Sequence, residues 1–147
     1  DFGGFIVDGG HSLKSKSSFL PSSASQAKPP QLLAHYDFPD DWEILLVILD
    51  SKNTVNGQKE VNIFQDYCPV PKNEVEQTSH IIFMNMIPFL LERDLPAFGH
   101  SIDEIQKRGF KNVEVSLQSQ QIRDLMDKLR EIGAYGVGMI YFGPTVY

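Results

Sequence analysis

Eight of the chain's eleven glycines lie in two end segments, Gly3 to Gly10 and Gly133 to Gly143. Glycine is used where a backbone needs positive φ or must pass close to another backbone or a ligand. The special geometry is therefore expected at the two ends, with the middle as scaffold. In the second segment the glycines alternate with β-formers: Val137, Ile140, Tyr141, Phe142, Thr145, Val146 and Tyr147. That pattern predicts strand, Gly143-Pro144 turn, strand. It suits a ligand wall and equally a plain hairpin after a helix.

The chain has 147 residues, 41% of them hydrophobic, enough for a core. A formal charge of -6 argues against broad electrostatic binding to nucleic acid or anionic membrane. Cys68 is the single cysteine, so no intrachain disulfide or cysteine metal cluster is possible, and a reducing, cytoplasmic setting fits. No apolar run reaches the length of a membrane span, and no signal peptide is visible. The chain begins and ends inside apparent strands, from which we expect a piece of a longer protein.

Phe5 to Val7 reads as a short strand. His11 to Pro30 has no period and three prolines, so it reads as a long loop. No acid occurs between Gly9 and Tyr36, whereas Lys14, Lys16 and Lys28 do. This island, with the backbone of Gly9 and Gly10, has what a phosphate site needs. A solvated polar loop has the same composition. Gln31 to Tyr36 is a second candidate strand, and Glu43 to Leu49 is apolar enough to suggest a strand buried on both faces.

Four helices are expected next. Gln58 to Cys68 places Val61, Phe64 and Cys68 on one face, making Cys68 a packed thiol rather than a nucleophile. Asn73 and Glu76 suggest a capping box opening a helix to about Glu92, kinked by Pro88, with His80 partly buried. Asp94 caps a third, with Phe98, Ile102 and Ile105 inward and His100 at the surface. Val113, Val115 and Leu117 alternate as a short strand. Ser119 caps the fourth, with Ile122, Leu125, Met126 and Leu129 inward, and Gly133 ends it. Strands segregated from helices imply an α+β fold, with helices on one face of a largely antiparallel sheet.

No Gly-x-Ser-x-Gly, Walker A lysine motif, zinc spacing or G-x-G-x-x-G after a strand is present. Asp8 and His11 form the one acid–imidazole pair in a glycine-rich setting. They are the candidate acid and base, or simply a strand-end carboxylate and a loop histidine.

Three separated motifs together resemble a known family. They are Phe2-Gly3-Gly4-Phe5-Ile6-Val7-Asp8-Gly9-Gly10-His11, the segment from Pro29-Pro30 through Tyr36-Asp37-Phe38-Pro39 to Asp41-Trp42, and Gly133-Ala134-Tyr135-Gly136 through Phe142-Gly143-Pro144 to Tyr147. In that order they resemble β-ribofuranosylaminobenzene 5′-phosphate synthase, of the GHMP kinase-like superfamily, over nearly the whole chain and on its later part. The resemblance implies residues 1–56 as the end of an N-terminal-type domain, and 57–147 as a helical, ferredoxin-like C-terminal GHMP-type domain. The superfamily's phosphate loop is then expected upstream of Asp1.

The implied reaction joins 5-phosphoribosyl 1-diphosphate to p-aminobenzoate or 4-hydroxybenzoate, with loss of carbon dioxide and diphosphate, in methanopterin biosynthesis. The candidate catalytic pair remains Asp8 and His11. Gly9, Gly10, Lys14, Lys16, Gly136, Gly138 and Gly143 are the expected substrate-binding residues. Where relatives are expected to carry small hydroxyl residues, this chain has Ile140 and Tyr141, so the third motif is expected to shape the pocket. No protein metal ligand is assigned. A divalent metal (Mg) is expected with the diphosphate in the full enzyme, and none in the fragment. Partners are expected to be small molecules and another copy of the chain, with no nucleic acid or membrane. The fragment alone is expected to be inactive. A GHMP-type small-molecule kinase and a non-catalytic oligomerisation domain are the alternatives.

Overall fold

A computed structural model describes residues 3–10, 28–50 and 57–147. His11, Lys14 and Lys16 lie outside the described residues. Strands β1 (Phe5–Asp8) and β2 (Leu32–Tyr36) pair antiparallel, Phe5 opposite Tyr36 and Val7 opposite Ala34, with a bulge before Asp8. Strand β3 (Val47–Ile48) pairs antiparallel with β4 (Thr145–Val146). The helices are α1 (Gln58–Tyr67), α2 (Lys72–Ile81), α3 (Ile87–Glu92), α4 (Leu95–Gln106), α5 (Gly109–Ser116) and α6 (Gln120–Glu131). The fold is α+β, and each strand pairing is antiparallel.

Local chemistry explains several boundaries. Asp94 accepts from the Ala97 N–H at 3.0 Å and caps α4, with Pro96 in its first turn. Ser119 does the same for α6 through the Ile122 N–H. α2 and α3 are joined by a π-helical turn, Ile82–Met86, in which the Ile87 N–H bonds the Ile82 carbonyl. Pro88 follows immediately and has no N–H to offer Met84, so the wider turn precedes the missing bond.

Four expectations need correction. Residues 113–117 are not a strand: Val113 and Val115 lie in helix α5, whose first N–H, that of Gly109, bonds the Glu74 carboxylate at 3.0 Å. α2 begins at Lys72 behind Pro71 with no side-chain cap, so Asn73 sits inside the helix and caps nothing. His80 is exposed. Within 43–49 only Val47 and Ile48 pair; Ile44, Leu45 and Leu46 remain 60%, 68% and 56% exposed, because no described element covers them.

Two apolar clusters meet along α4. Ile81, Met86, Leu90 and Phe98 form one, packed against Phe5, Phe38 and Trp42. Phe98 is its hub: its ring lies 6.0 Å from Phe5, 6.1 Å from Phe38 and 5.2 Å from Trp42. Edge and tilted contacts of this kind add about 0.5–1.5 kcal/mol each beyond burial. They tie the β1–β2 ladder and the 38–42 segment to the helices. The second cluster joins Ile122 and Met126 of α6 to Val137, Met139 and Val146.

Candidate functional site

The C-terminal hairpin is present. Gly138 and Tyr147 exchange two backbone hydrogen bonds of 2.8 Å, Ile140 N–H donates to Thr145, and a Gly143–Ile140 bond closes the turn. Tyr141 and Gly143 sit at φ 46° and 71°, which glycine tolerates and tyrosine rarely does. β4 is the inner strand, with Val146 opposite both Met139 and Val47.

The other edge of the extended 137–139 segment has no described strand beside it. Helix side chains occupy it instead. Asp103 accepts from the Val137 N–H at 3.2 Å, and Arg130 donates to the Val137 carbonyl at 3.3 Å. Gln106 accepts from the Met139 N–H at 3.2 Å, and Lys111 donates to the Met139 carbonyl at 2.9 Å. Gln118 donates to the Phe142 carbonyl at 2.7 Å. These side chains are themselves held: Arg130 bonds Asp103 at 2.8 Å, and Lys111 pairs with buried Glu114 at 2.6 Å. Buried backbone groups must be satisfied, and here helices do what a neighbouring strand usually does.

Between this hairpin and the Phe98 hub lies an apolar cleft of about 570 Å³, within the usual size of ligand sites. Aromatic walls come from Phe5, Phe38, Trp42, Phe98, Tyr135 and Tyr147, and Gly136 forms part of the floor. Phe5 of the first glycine-rich end and Gly133 to Val137 of the second thus line the same cavity. Gly4 lines a separate polar cleft with His35, Asp37 and Arg93.

The remaining candidates are placed as follows. Asp8 is exposed and accepts from the Gly10 N–H at 2.8 Å, while Gly9 N–H continues the ladder to Gln31 at 2.9 Å. Asp8 therefore shapes its own turn. Gly138 lies under the Tyr147 ring, where an added Cβ would stand 2.9 Å from a ring carbon. Gly143 faces the Gln118 side chain, 3.0 Å from where a Cβ would be. Burial pushes the Tyr147 hydroxyl above its ordinary pKa, and the nearby Glu114 charge adds to this. Burial also raises the Cys68 thiol, which keeps it protonated and a poor nucleophile.

A polar cleft of about 410 Å³ between α4 and α6 contains Lys107, Arg123 and Arg130, but each is already engaged: by Glu104, by the Gln118 carbonyl, and by Asp103 with Asp127. Among the described residues no group of three His, Cys, Asp or Glu side chains is placed to hold a metal ion. No described helix is long and apolar enough to cross a membrane.

Comparison with known proteins agrees in kind. A protein of Methanothermobacter thermautotrophicus is 54% identical over 145 residues, covering 99% of this chain and 44% of its own length. Proteins of Archaeoglobus fulgidus and Methanocaldococcus jannaschii are 48% and 46% identical over all of this chain and 45% and 44% of theirs. All three are named beta-ribofuranosylphenol 5'-phosphate synthase. Over its whole length the chain is similar to part of these synthases. It spans less than half the length of the relatives it matches. No family model matches it.

In this synthase-like chain, sequence reasoning missed Gly99, which lies where α4 passes the 135–136 backbone, and the helix side chains that hold the hairpin edge. The signal for Gly99 was available: Ala97, Gly99 and Ser101 make a run of small residues in a helix otherwise rich in large apolar ones. The edge-holding residues carry no such signal, because Asp103, Gln106 and Lys111 read as an ordinary polar helix face.

Proposed function

We propose that this chain is part of a synthase that joins 5-phosphoribosyl 1-diphosphate to 4-hydroxybenzoate and releases carbon dioxide and diphosphate. The observation that carries the reading is the 46–54% identity, over essentially all of this chain, to three proteins named for the product β-ribofuranosylphenol 5′-phosphate. A phenol product points to 4-hydroxybenzoate over p-aminobenzoate as the ring donor. Such a product fits a biosynthetic role in making methanopterin-type carriers, in the cytoplasm.

In that reaction the ring carbon bearing the carboxylate forms a bond to the ribosyl carbon. The bond from that carbon to diphosphate breaks, and diphosphate leaves with the electron pair. The bond to the carboxylate then breaks, carbon dioxide leaves, and its electron pair restores the aromatic ring. The site must bind an apolar ring beside a charged sugar phosphate. The aromatic cleft suits the first need. Gly9, Gly10, Lys14 and Lys16 are our candidates for the second, with Asp8 and His11 as the candidate acid and base. The described residues offer no cage for a divalent cation on the diphosphate, so no step is drawn through one.

The test is carbon dioxide release by the full-length protein given phosphoribosyl diphosphate and each benzoate in turn. Release with 4-hydroxybenzoate supports the reading. No release with either benzoate removes it.

A further inference from the structure

Among the described residues that line the apolar cleft, Glu43 carries the single acidic side chain, and none is a lysine, arginine or histidine. Among the described residues no hydrogen bond or ion pair engages the Glu43 side chain, whereas Asp41, two residues earlier, pairs with Arg93 at 3.3 Å. A carboxylate among aromatic walls has a definite complement: a flat apolar ring that carries one strong donor and no negative charge at that end. A phenol meets both requirements. A benzoate carboxylate does not, because it would face Glu43 with like charge and find no cation among the described lining residues to offset it.

We propose that this cleft is the aryl subsite of the synthase and that Glu43 accepts the hydrogen bond of the phenol hydroxyl. The proposal rests on the synthase reading above and deepens it. It fixes the ring's direction: the hydroxyl toward Glu43, the carboxylate-bearing carbon away from it. It also gives Glu43 a chemical part. The reacting carbon is para to the hydroxyl, and its nucleophilicity comes from electron density released by that oxygen. As the bond to the ribosyl carbon forms, the hydroxyl proton moves to Glu43. When carbon dioxide leaves and its electron pair restores the ring, the proton returns from Glu43 to the oxygen. Nothing is oxidised or reduced, and the carboxylate is regenerated.

The chain carries its own reporter. Trp42 is the single tryptophan and lies on the cleft wall beside Glu43. Its fluorescence, excited beyond phenol absorption, is to be titrated with phenol and with anisole, which has the same ring but no donor. We expect saturable quenching by phenol, with anisole about tenfold weaker, as befits loss of one hydrogen bond to a charged acceptor. In Glu43→Gln the preference for phenol should shrink several-fold; in Glu43→Ala it should vanish, with anisole binding unchanged. Glu43 is exposed, so both variants should fold, which circular dichroism checks.

Equal quenching by phenol and anisole in the native chain, or a phenol preference that survives Glu43→Ala, overturns the role of Glu43. Absence of saturable quenching by either overturns the aryl subsite and leaves the cleft as a surface covered by protein. Carbon dioxide release by the full-length protein separates the two readings. Turnover without phenol quenching removes this inference and keeps the synthase. Phenol quenching without turnover keeps the phenol site and removes the reaction.

Discussion

Gly99, in the middle of α4, and Gly136, three residues past Gly133, meet backbone against backbone. A Cβ on Gly99 would stand 2.7 Å from the Gly136 nitrogen, and one on Gly136 2.6 Å from the Gly99 Cα. Real Cβ contacts do not occur at such distances, and neither neighbour is a movable side-chain tip. A glycine inside a helix ordinarily costs about 1 kcal/mol relative to alanine. Gly99→Ala should therefore stabilise if space were available. We expect the reverse sign, a loss of about 1–3 kcal/mol from overpacking, in urea unfolding followed by circular dichroism. A stabilised Gly99→Ala would show that the contact is looser than described.

Gln106 is 4% exposed, and its side-chain oxygen is the acceptor for the Met139 N–H. Gln106→Met keeps the volume and removes the acceptor. The buried N–H is then left unpaired, at a cost of about 1–3 kcal/mol. Hydrogen exchange should quicken at Met139, while the Gly138–Tyr147 pair on the opposite edge retains its protection.

Tyr147 gives the fold an alkaline limit. Its hydroxyl titrates above the ordinary 10.0 in the folded chain because it is buried and lies near Glu114. Above pH 10 the unfolded chain loses this proton while the folded chain keeps it. The unfolded state then binds fewer protons, so stability falls as pH rises. The contribution is full below the unfolded pKa and is lost as pH passes through the raised one. Tyr147→Phe should flatten the fall in stability above pH 10. An unaltered slope would place the effect on other groups.

Leu46 and Ile48 are 56% and 70% exposed on and beside β3. An uncovered apolar strand seeks a partner, which in a pure sample is another copy. Light scattering on this chain should show a dimer or larger species. Leu46→Lys together with Ile48→Lys should weaken association at least about tenfold, since charge on an edge strand opposes pairing. A native chain that stays monomeric at high concentration contradicts this.

Much of the scaffold was legible because its signals are local. Asp94 and Ser119 announce helix starts, Gly133 a helix end, and Gly143-Pro144 a turn. Errors arose where tertiary contacts decide. Val113, Val115 and Leu117 give only three alternating positions, too few to separate period 2 from 3.6. The Lys111–Glu114 pair and the stacking of Phe110 on Phe64 at 4.5 Å favour the helix. Asn73 lost the cap position because Pro71 already supplies its carbonyl to Glu74 and Val75. The cleft itself was only half legible. The glycines of both ends pointed to close approach, but Phe98 read as core and Phe38 and Trp42 sat in an aperiodic segment, and only the fold shows them facing a cavity.

The strand at 137–139 has its outward edge sealed by Asp103, Gln106, Lys111 and Arg130, whereas β3 has no described neighbour beyond β4. The sheet is thus polar in its capacity to grow. One flank is closed by ionic and amide locks, and the other is a live template. Any further strand, from the same polypeptide or another, can be added on a single side. Addition there also brings new chain alongside the segment that leads into β3, whose Ile44 and Leu45 line the aromatic cleft, so that extending the sheet and enclosing that wall become one event.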